Sequence, residues 1–263
     1  IDVQQIEKKI TKKTVGIIGV DFAGLASPWQ KLRMIDKKHK LWLLDDAAHS
    51  FGAMYNGKPI GTQADATCFS FHPVKTITTG EGGMVVTNNE KTAEKARSLG
   101  SLAYGKENRF MHEGVGFNYR MTNLQAALGC AQMKNIDKVI EKKREIASWY
   151  REELQDVPEI QLPVEKEYAK NVYWMFHIVL KGAWGSRRDE CMNSLKKCGI
   201  ETRESFIPYN MQKILIEKGL TKEGECPVAN RIGRSGLYLP SGPSLERDEA
   251  RYVASNLKKY LES

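Results

Sequence analysis

Apolar and polar positions follow two different rhythms along this chain. Residues 14–20 (TVGIIGV) form a short β-branched run bounded by charge and glycine, which reads as a buried strand. Residues 29–40 carry helical spacing. Residues 40–44 (KLWLL) read as a second strand that ends abruptly at Asp45-Asp46. Residues 67–71 (TCFSF) and 83–87 (GMVVT) read as a third and a fourth, joined by a glycine-rich loop. Asn89 opens a helix that stops at Gly100. Strands alternating with helices in this way predict a layered α/β sheet.

Farther on, Thr122 and Gln125 have capping-box spacing. Leu124, Leu128, Ala131, Ile136, Val139, Ile140, Ile146 and Tyr150 then recur at helical intervals, which predicts one long helix. Pro158 and Pro163 break the pattern. Residues 172–180 (VYWMFHIVL) read as a strand and 189–198 as a helix. The last helix shows an apolar stripe of Ala250, Val253, Leu257 and Leu261. The expected organisation is a large α/β domain over 1–150 and a smaller α+β domain over 151–263. There is no internal repeat and no low-complexity tract.

Bulk properties narrow this only a little. The 263 residues suffice for one large domain with a smaller one, and 41% hydrophobic with 27% charged residues is ordinary for a globular protein. The net charge of +8 raises nucleic acid as a partner. The basic residues are scattered, however, and often lie beside acids, as in EKKRE at 141–145, so they read as solvated helix faces. No apolar run has the length to span a bilayer, and the first residues lack a signal layout. The expectation is a cytoplasmic protein with neither nucleic-acid nor membrane partners. Five cysteines without a C-x-x-C pair read as free thiols, with no metal site.

The candidate chemistry begins with Asp46, directly after an apolar strand, and Lys75, just past the next one. The carboxyl ends of such strands are where ligands of open α/β sheets bind. An amine and an acid in one crevice suit pyridoxal phosphate, which needs a lysine for its Schiff base and a carboxylate for its ring nitrogen. Spacing alone favours the blander readings, a capping aspartate and a surface lysine.

Three longer motifs go further. Residues 44–52 read LDDAAHSFG, 69–83 read FSFHPVKTITTGEGG, and 116–125 read GFNYRMTNLQ. Together, in this order, they resemble the DegT/DnrJ-type sugar aminotransferases, a branch of the fold-type-I pyridoxal-phosphate enzymes. The resemblance runs over nearly the whole chain. It implies a layered αβα large domain with a smaller C-terminal α+β domain. It implies that Lys75 forms the Schiff base and acts in catalysis, that Asp46 pairs with the pyridine nitrogen, and that His49 contacts the ring. Ser70 is implied to bind the cofactor phosphate. Asn118 is implied to reach the phosphate of a neighbouring subunit, which makes the working unit a homodimer. Arg120 carries no assigned role; His72 and the Gly80–Gly83 turn read as supporting structure.

The implied reaction passes an amino group, usually from glutamate, to a keto group of a nucleotide-linked sugar. The motifs NVYWMF, GIETR and LYLPSGP look most like perosamine-synthase-type members that aminate carbon 4 of a 4-keto-6-deoxy sugar. Related sugar dehydratases carry histidine in place of the lysine, and Lys75 argues against them. The intact Asp46, Ser70 and Lys75 disfavour a non-catalytic binding or regulatory relative. Family members usually carry a sizeable segment before the point where this sequence starts, so part of the pocket is expected from residues outside it.

Overall fold

A computed structural model describes residues 1–105, 107–108 and 110–263. In chain order the first elements are α1 (Val3–Lys9), β1 (Gly16–Val20), α2 (Trp29–His39), β2 (Trp42–Asp46), β3 (Met54–Tyr55) and β4 (Lys58–Pro59). Next come β5 (Ala66–Ser70), β6 (Gly83–Val86), α3 (Glu90–Gly100), α4 (Asn123–Met133) and α5 (Ile136–Leu154). The remainder holds β7 (Ile160–Gln161), β8 (Ala169–Lys170), β9 (Phe176–Leu180), α6 (Arg188–Lys197), β10 (Arg203–Glu204), α7 (Lys213–Glu217), α8 (Pro227–Ser235), β11 (Gly236–Leu239) and α9 (Arg247–Leu261). The chain packs as two units, one of residues 1–140 with 165–174, the other of 141–164 with 175–263.

The first unit is built on a sheet of order β1-β2-β5-β6. Its first three strands run parallel, while β6 returns antiparallel to β5. Alternation decides what each face meets. Ile17, Leu43 and Thr67 point to one face and are buried, where Trp29 and Leu32 of α2 are also fully enclosed. Burying a side chain of this size contributes about 1.5–3 kcal/mol, so α2 is held mainly by this face. Ile18, Val20 and Trp42 point to the other face and stay exposed. A second small sheet of order β4-β3-β8 completes the unit.

The other unit has an antiparallel sheet of order β10-β11-β9-β7. Ile178, Leu180, Leu237 and Leu239 are buried in it, and the stripe Ala250, Val253, Leu257 and Leu261 of α9 is buried as its spacing predicts. Tyr150 stacks on Phe176 with ring centroids 4.8 Å apart. The Lys143 amine is buried and donates to the Ser241 carbonyl at 2.6 Å.

Three sequence expectations need correction. The long helix is broken at residues 134–135 into α4 and α5. Leu124 and Leu128, which helped to set the helical spacing expected there, are exposed, because α4 turns Gln125, Gly129 and Gln132 inward instead. Gln125 and Gln132 spend their amides on main-chain groups of the loop after β5, and those bonds fix which face looks inward. The strand expected at 172–180 begins only at Phe176. Residues 171–174 turn away, with Tyr173 at φ +46° and its N–H donated to Asn171 Oδ1 at 2.7 Å.

Candidate active site

The carboxyl ends of β1, β2 and β5 lie side by side, since Val20 pairs with Asp46 and Asp46 with Cys68. Asp46 closes β2 and is half-buried; its Oδ1 accepts the N–H of Ala48 at 3.1 Å, which fixes the carboxylate over the start of the next turn. Asp45, one residue earlier, points to the opposite face and is fully buried. There it meets Asp21, the first residue after β1. Asp21 accepts from the Ser27 N–H, Trp29 Nε1 and Ser50 Oγ at 2.6, 3.1 and 3.2 Å. Asp45 has only the Thr67 hydroxyl at 3.4 Å, and its Oδ1 has no partner among the described residues. Burial, then the Asp21 charge, pushes the Asp45 carboxyl well above its usual range. Burial raises the Asp21 carboxyl too, but its three donors pull the other way, so the pair's proton is favoured on Asp45.

Lys75 is carried by the loop of residues 71–82, between β5 and the returning β6. The loop is tied at many points. Thr79 N–H and Thr78 Oγ1 both donate to the Phe71 carbonyl, each at 3.0 Å. Gln132 of α4 clamps Thr78 from both sides, accepting its N–H at 3.0 Å and donating to its carbonyl at 2.9 Å. Gln125 donates to the Glu81 carbonyl at 3.0 Å, and it also completes the expected capping box with Thr122. Gly82 has φ +152°, and a Cβ there would lie 2.5 Å from Thr79 Oγ1, so only glycine closes this return.

The Lys75 amine lies 4.3 Å from the ring centroid of Trp174. Burial holds the amine below the usual lysine range, while the nearby Asp46 carboxylate pulls the other way. His49 stacks on the same indole, with centroids 3.8 Å apart and planes 21° apart. Its Nδ1 accepts the Ala23 N–H at 3.3 Å, so the proton of the neutral ring sits on Nε2. Burial, then the Lys75 charge, pushes the imidazole down to about 3, so it is neutral at working pH. Ser70 ends β5; its Oγ accepts the His72 N–H at 3.3 Å and keeps its own proton to donate.

The structure thus brings Lys75, Asp46 and His49 to one sheet edge, with Ser70 at the end of the adjoining strand. Asn118 belongs to another group: it pairs with Ser101, and its Oδ1 accepts from Arg120 at 3.2 Å. Beside it, Glu81, Gly82, Tyr119, Arg120 and Gln125 line a cavity of about 380 Å³. Trp174 was hidden from sequence reading because an apolar run of nine residues reads as one strand. Asn171, a turn former just ahead of that run, is the signal that separates them.

The amine, the acid, the neutral ring and the free hydroxyl fit pyridoxal phosphate chemically. Burial lowers the Lys75 pKa, and among the described residues the amine donates no hydrogen bond that would have to be broken first. Among those residues no group of His, Cys, Asp or Glu has the makings of a metal site, and no helix is long and apolar enough to cross a membrane.

Residues 1–258 match the DegT/DnrJ/EryC1/StrS aminotransferase family model. The chain is 36% identical over 261 residues to a GDP-perosamine synthase of Vibrio cholerae, covering 99% of this chain and 70% of that one. It is 32% identical over 267 residues to a UDP-4-amino-4,6-dideoxy-N-acetyl-beta-L-altrosamine transaminase of Campylobacter jejuni, covering 100% and 70%. Among solved structures it resembles Helicobacter pylori PseC, an aminotransferase of pseudoaminic acid biosynthesis. There the TM-score is 0.93 and the identity 29%, covering 100% of this chain and 71% of PseC.

Proposed function

Since the chain belongs to the DegT/DnrJ/EryC1/StrS family of sugar aminotransferases, fold-type-I enzymes that use pyridoxal phosphate, we propose that it moves an amino group from glutamate to carbon 4 of a 4-keto-6-deoxy sugar nucleotide. The observation that carries this reading is the half-dry Lys75 amine beside Asp46 at the sheet's carboxyl edge. The perosamine synthase and altrosamine transaminase relatives favour a 4-amino product.

When bound, pyridoxal phosphate supplies an electron sink for the carbanion left as the donor's α-proton departs. Lys75 Nζ would hold the cofactor covalently and, once displaced by the donor's amine, would take up and return a proton as general base and acid. A lysine does this best with its pKa lowered towards working pH, and burial supplies the shift. Asp46 holds a proton on the pyridine nitrogen, a charge-assisted hydrogen bond of about 1.5–3 kcal/mol. His49, neutral and stacked, packs against the ring without adding a charge that would compete with Asp46. Ser70 Oγ donates to a phosphate oxygen.

Asn118 serves the phosphate of a second copy, so the working unit is a homodimer. The exposed Phe117 and Tyr119 beside it, and the exposed Leu124 and Leu128 of α4, support this, because apolar surface of that kind gains by burial against a partner. The protein works in the cytoplasm, where sugar nucleotides and glutamate are available.

The test is borohydride reduction of the protein with pyridoxal phosphate and peptide mapping, followed by a panel of 4-keto sugar nucleotides with glutamate. The expected result is an adduct at Lys75 and a 4-amino sugar nucleotide by mass spectrometry. An adduct at Lys75 with no aminated product from any member of the panel would favour a binding or regulatory role. One relative at 32% identity is a pleiotropic regulatory protein of Geobacillus stearothermophilus.

A further inference from the structure

Trp174 touches three parts of the candidate site at once, each through a different property of the indole. Its ring face lies under the Lys75 amine at 4.3 Å, within the range of a cation–π attraction. Its ring plane stacks on His49 at 3.8 Å. Its Nε1 donates to the carbonyl of Val74, the residue before the lysine, at 2.7 Å. The indole is only 4% exposed, so these contacts are not a surface accident.

Trp174 is also locked from behind. The Val172 N–H donates to the Gly24 carbonyl at 3.2 Å, and Asn171 Oδ1 accepts the Tyr173 N–H. The approach is so close that a Cβ on Gly24 would lie 2.9 Å from Asn171 Oδ1 and 3.0 Å from the Trp174 nitrogen. Gly24 has φ +99°, which only glycine adopts freely. Ala23, its neighbour, supplies the N–H that fixes His49. One short turn after β1 therefore sets both His49 and the segment bearing Trp174.

We propose that Trp174 is the positioning residue of the site, holding the free Lys75 amine beside Asp46 and fixing the plane of His49. This rests on the reading of Lys75 given above. The indole N–H pins the main chain on which Lys75 rides, and the ring face gives the amine a dry resting place that takes none of its hydrogen bonds. A hydrogen-bonding partner there would have to be pulled off in each turnover; an aromatic face lets the amine leave without leaving a donor unpaired.

The test uses Trp174→Ala and Trp174→Phe, with Lys75→Ala alongside. In cofactor-free protein, the pH midpoint of reductive methylation at Lys75 is read by mass spectrometry, with Asp46 and His49 unchanged. Burial is the larger influence on this amine, so Trp174→Ala should admit water and raise the midpoint by about half a pH unit or more. It should also lower kcat about tenfold or more while the KM for glutamate stays within about threefold, the mark of lost positioning and not of lost binding. Trp174→Phe keeps one aromatic ring and loses the N–H together with the five-membered ring, so its midpoint should stay nearer that of the native protein than Trp174→Ala while kcat falls about threefold. A folded Trp174→Ala protein with midpoint and kcat both unchanged overturns the proposal. If that variant does not fold, Trp174→Phe decides, and unchanged kcat overturns it. Covalent capture of the cofactor by Lys75→Ala would instead bring down the reading of Lys75 itself, whatever the Trp174 variants do.

Discussion

Lys75 and Lys143 are both lysines that burial holds below their usual range, and they have opposite surroundings. Lys143 gives a short hydrogen bond to the carbonyl of Ser241 and has the Ser241 hydroxyl at 3.5 Å. That carbonyl follows Pro240, whose own carbonyl takes the Tyr150 hydroxyl at 2.7 Å. The amine is thus one of several pins on a single bend after β11. Lys75 faces an indole ring and a carboxylate and, among the described residues, donates no hydrogen bond. The lesson is that a depressed amine is a weak sign of chemistry taken alone. What separates a structural lysine from a reactive one is whether its donors are already committed.

The sharpest way to break this contrast is to remove each amine. Lys75→Ala should lower turnover by about a thousandfold or more and abolish the visible absorbance of bound cofactor, with the thermal melt little changed. A variant that still turned over at the native rate would erase the distinction. Lys143→Met should do the reverse. The native Lys143 pKa is pushed from 10.5 down to about 8 by burial. Between those values the unfolded chain binds more protons than the folded one, so native stability should rise with pH, by up to about 3 kcal/mol. Below pH 8 both states are protonated and this slope vanishes. In Lys143→Met the rise should disappear from urea titrations made between pH 8 and 10.5, while cofactor attachment at Lys75 persists.

The smallest expected effect sharpens the comparison further. If the Ser241 carbonyl is what satisfies Lys143, the hydroxyl matters only for the Phe176 N–H it accepts at 3.3 Å. Ser241→Ala should then cost about 0.5–1.5 kcal/mol in urea unfolding and leave the rise between pH 8 and 10.5 in place. Loss of that rise would mean that the hydroxyl, not the carbonyl, sets the state of the amine.

The sequence made the scaffold legible where local chemistry is self-sufficient. The runs around Ile17, Leu43 and Thr67 became strands because alternation and β-branching leave few alternatives, and Thr122 with Gln125 formed the capping box their spacing requires. Asn89 caps its helix through the Thr92 N–H at 2.9 Å. What stayed hidden depends on partners far along the chain. The inward turn of Gln132 is set by Thr78, and the bend that frees Trp174 from β9 is set by Gly24. Likewise, nothing local distinguishes Asp45 from Asp46. The pleat sends one beneath the sheet to Asp21 and leaves the other at the edge, and only the motif pointed to the second of the two.

The return of the chain as β6 also bears on how this site tolerates change. Ser70 pairs with Gly83, so residues 71–82 hang between two neighbouring strands whose register is fixed. Thr78 and Glu81 in that span are gripped by glutamines seven residues apart on one helix. An added or deleted residue therefore has nowhere to be absorbed: it would either slip the strands and turn their faces over, or pull the loop off the helix. Length variation should be excluded from this stretch, and diversification for new substrates left to segments that do not suspend the amine.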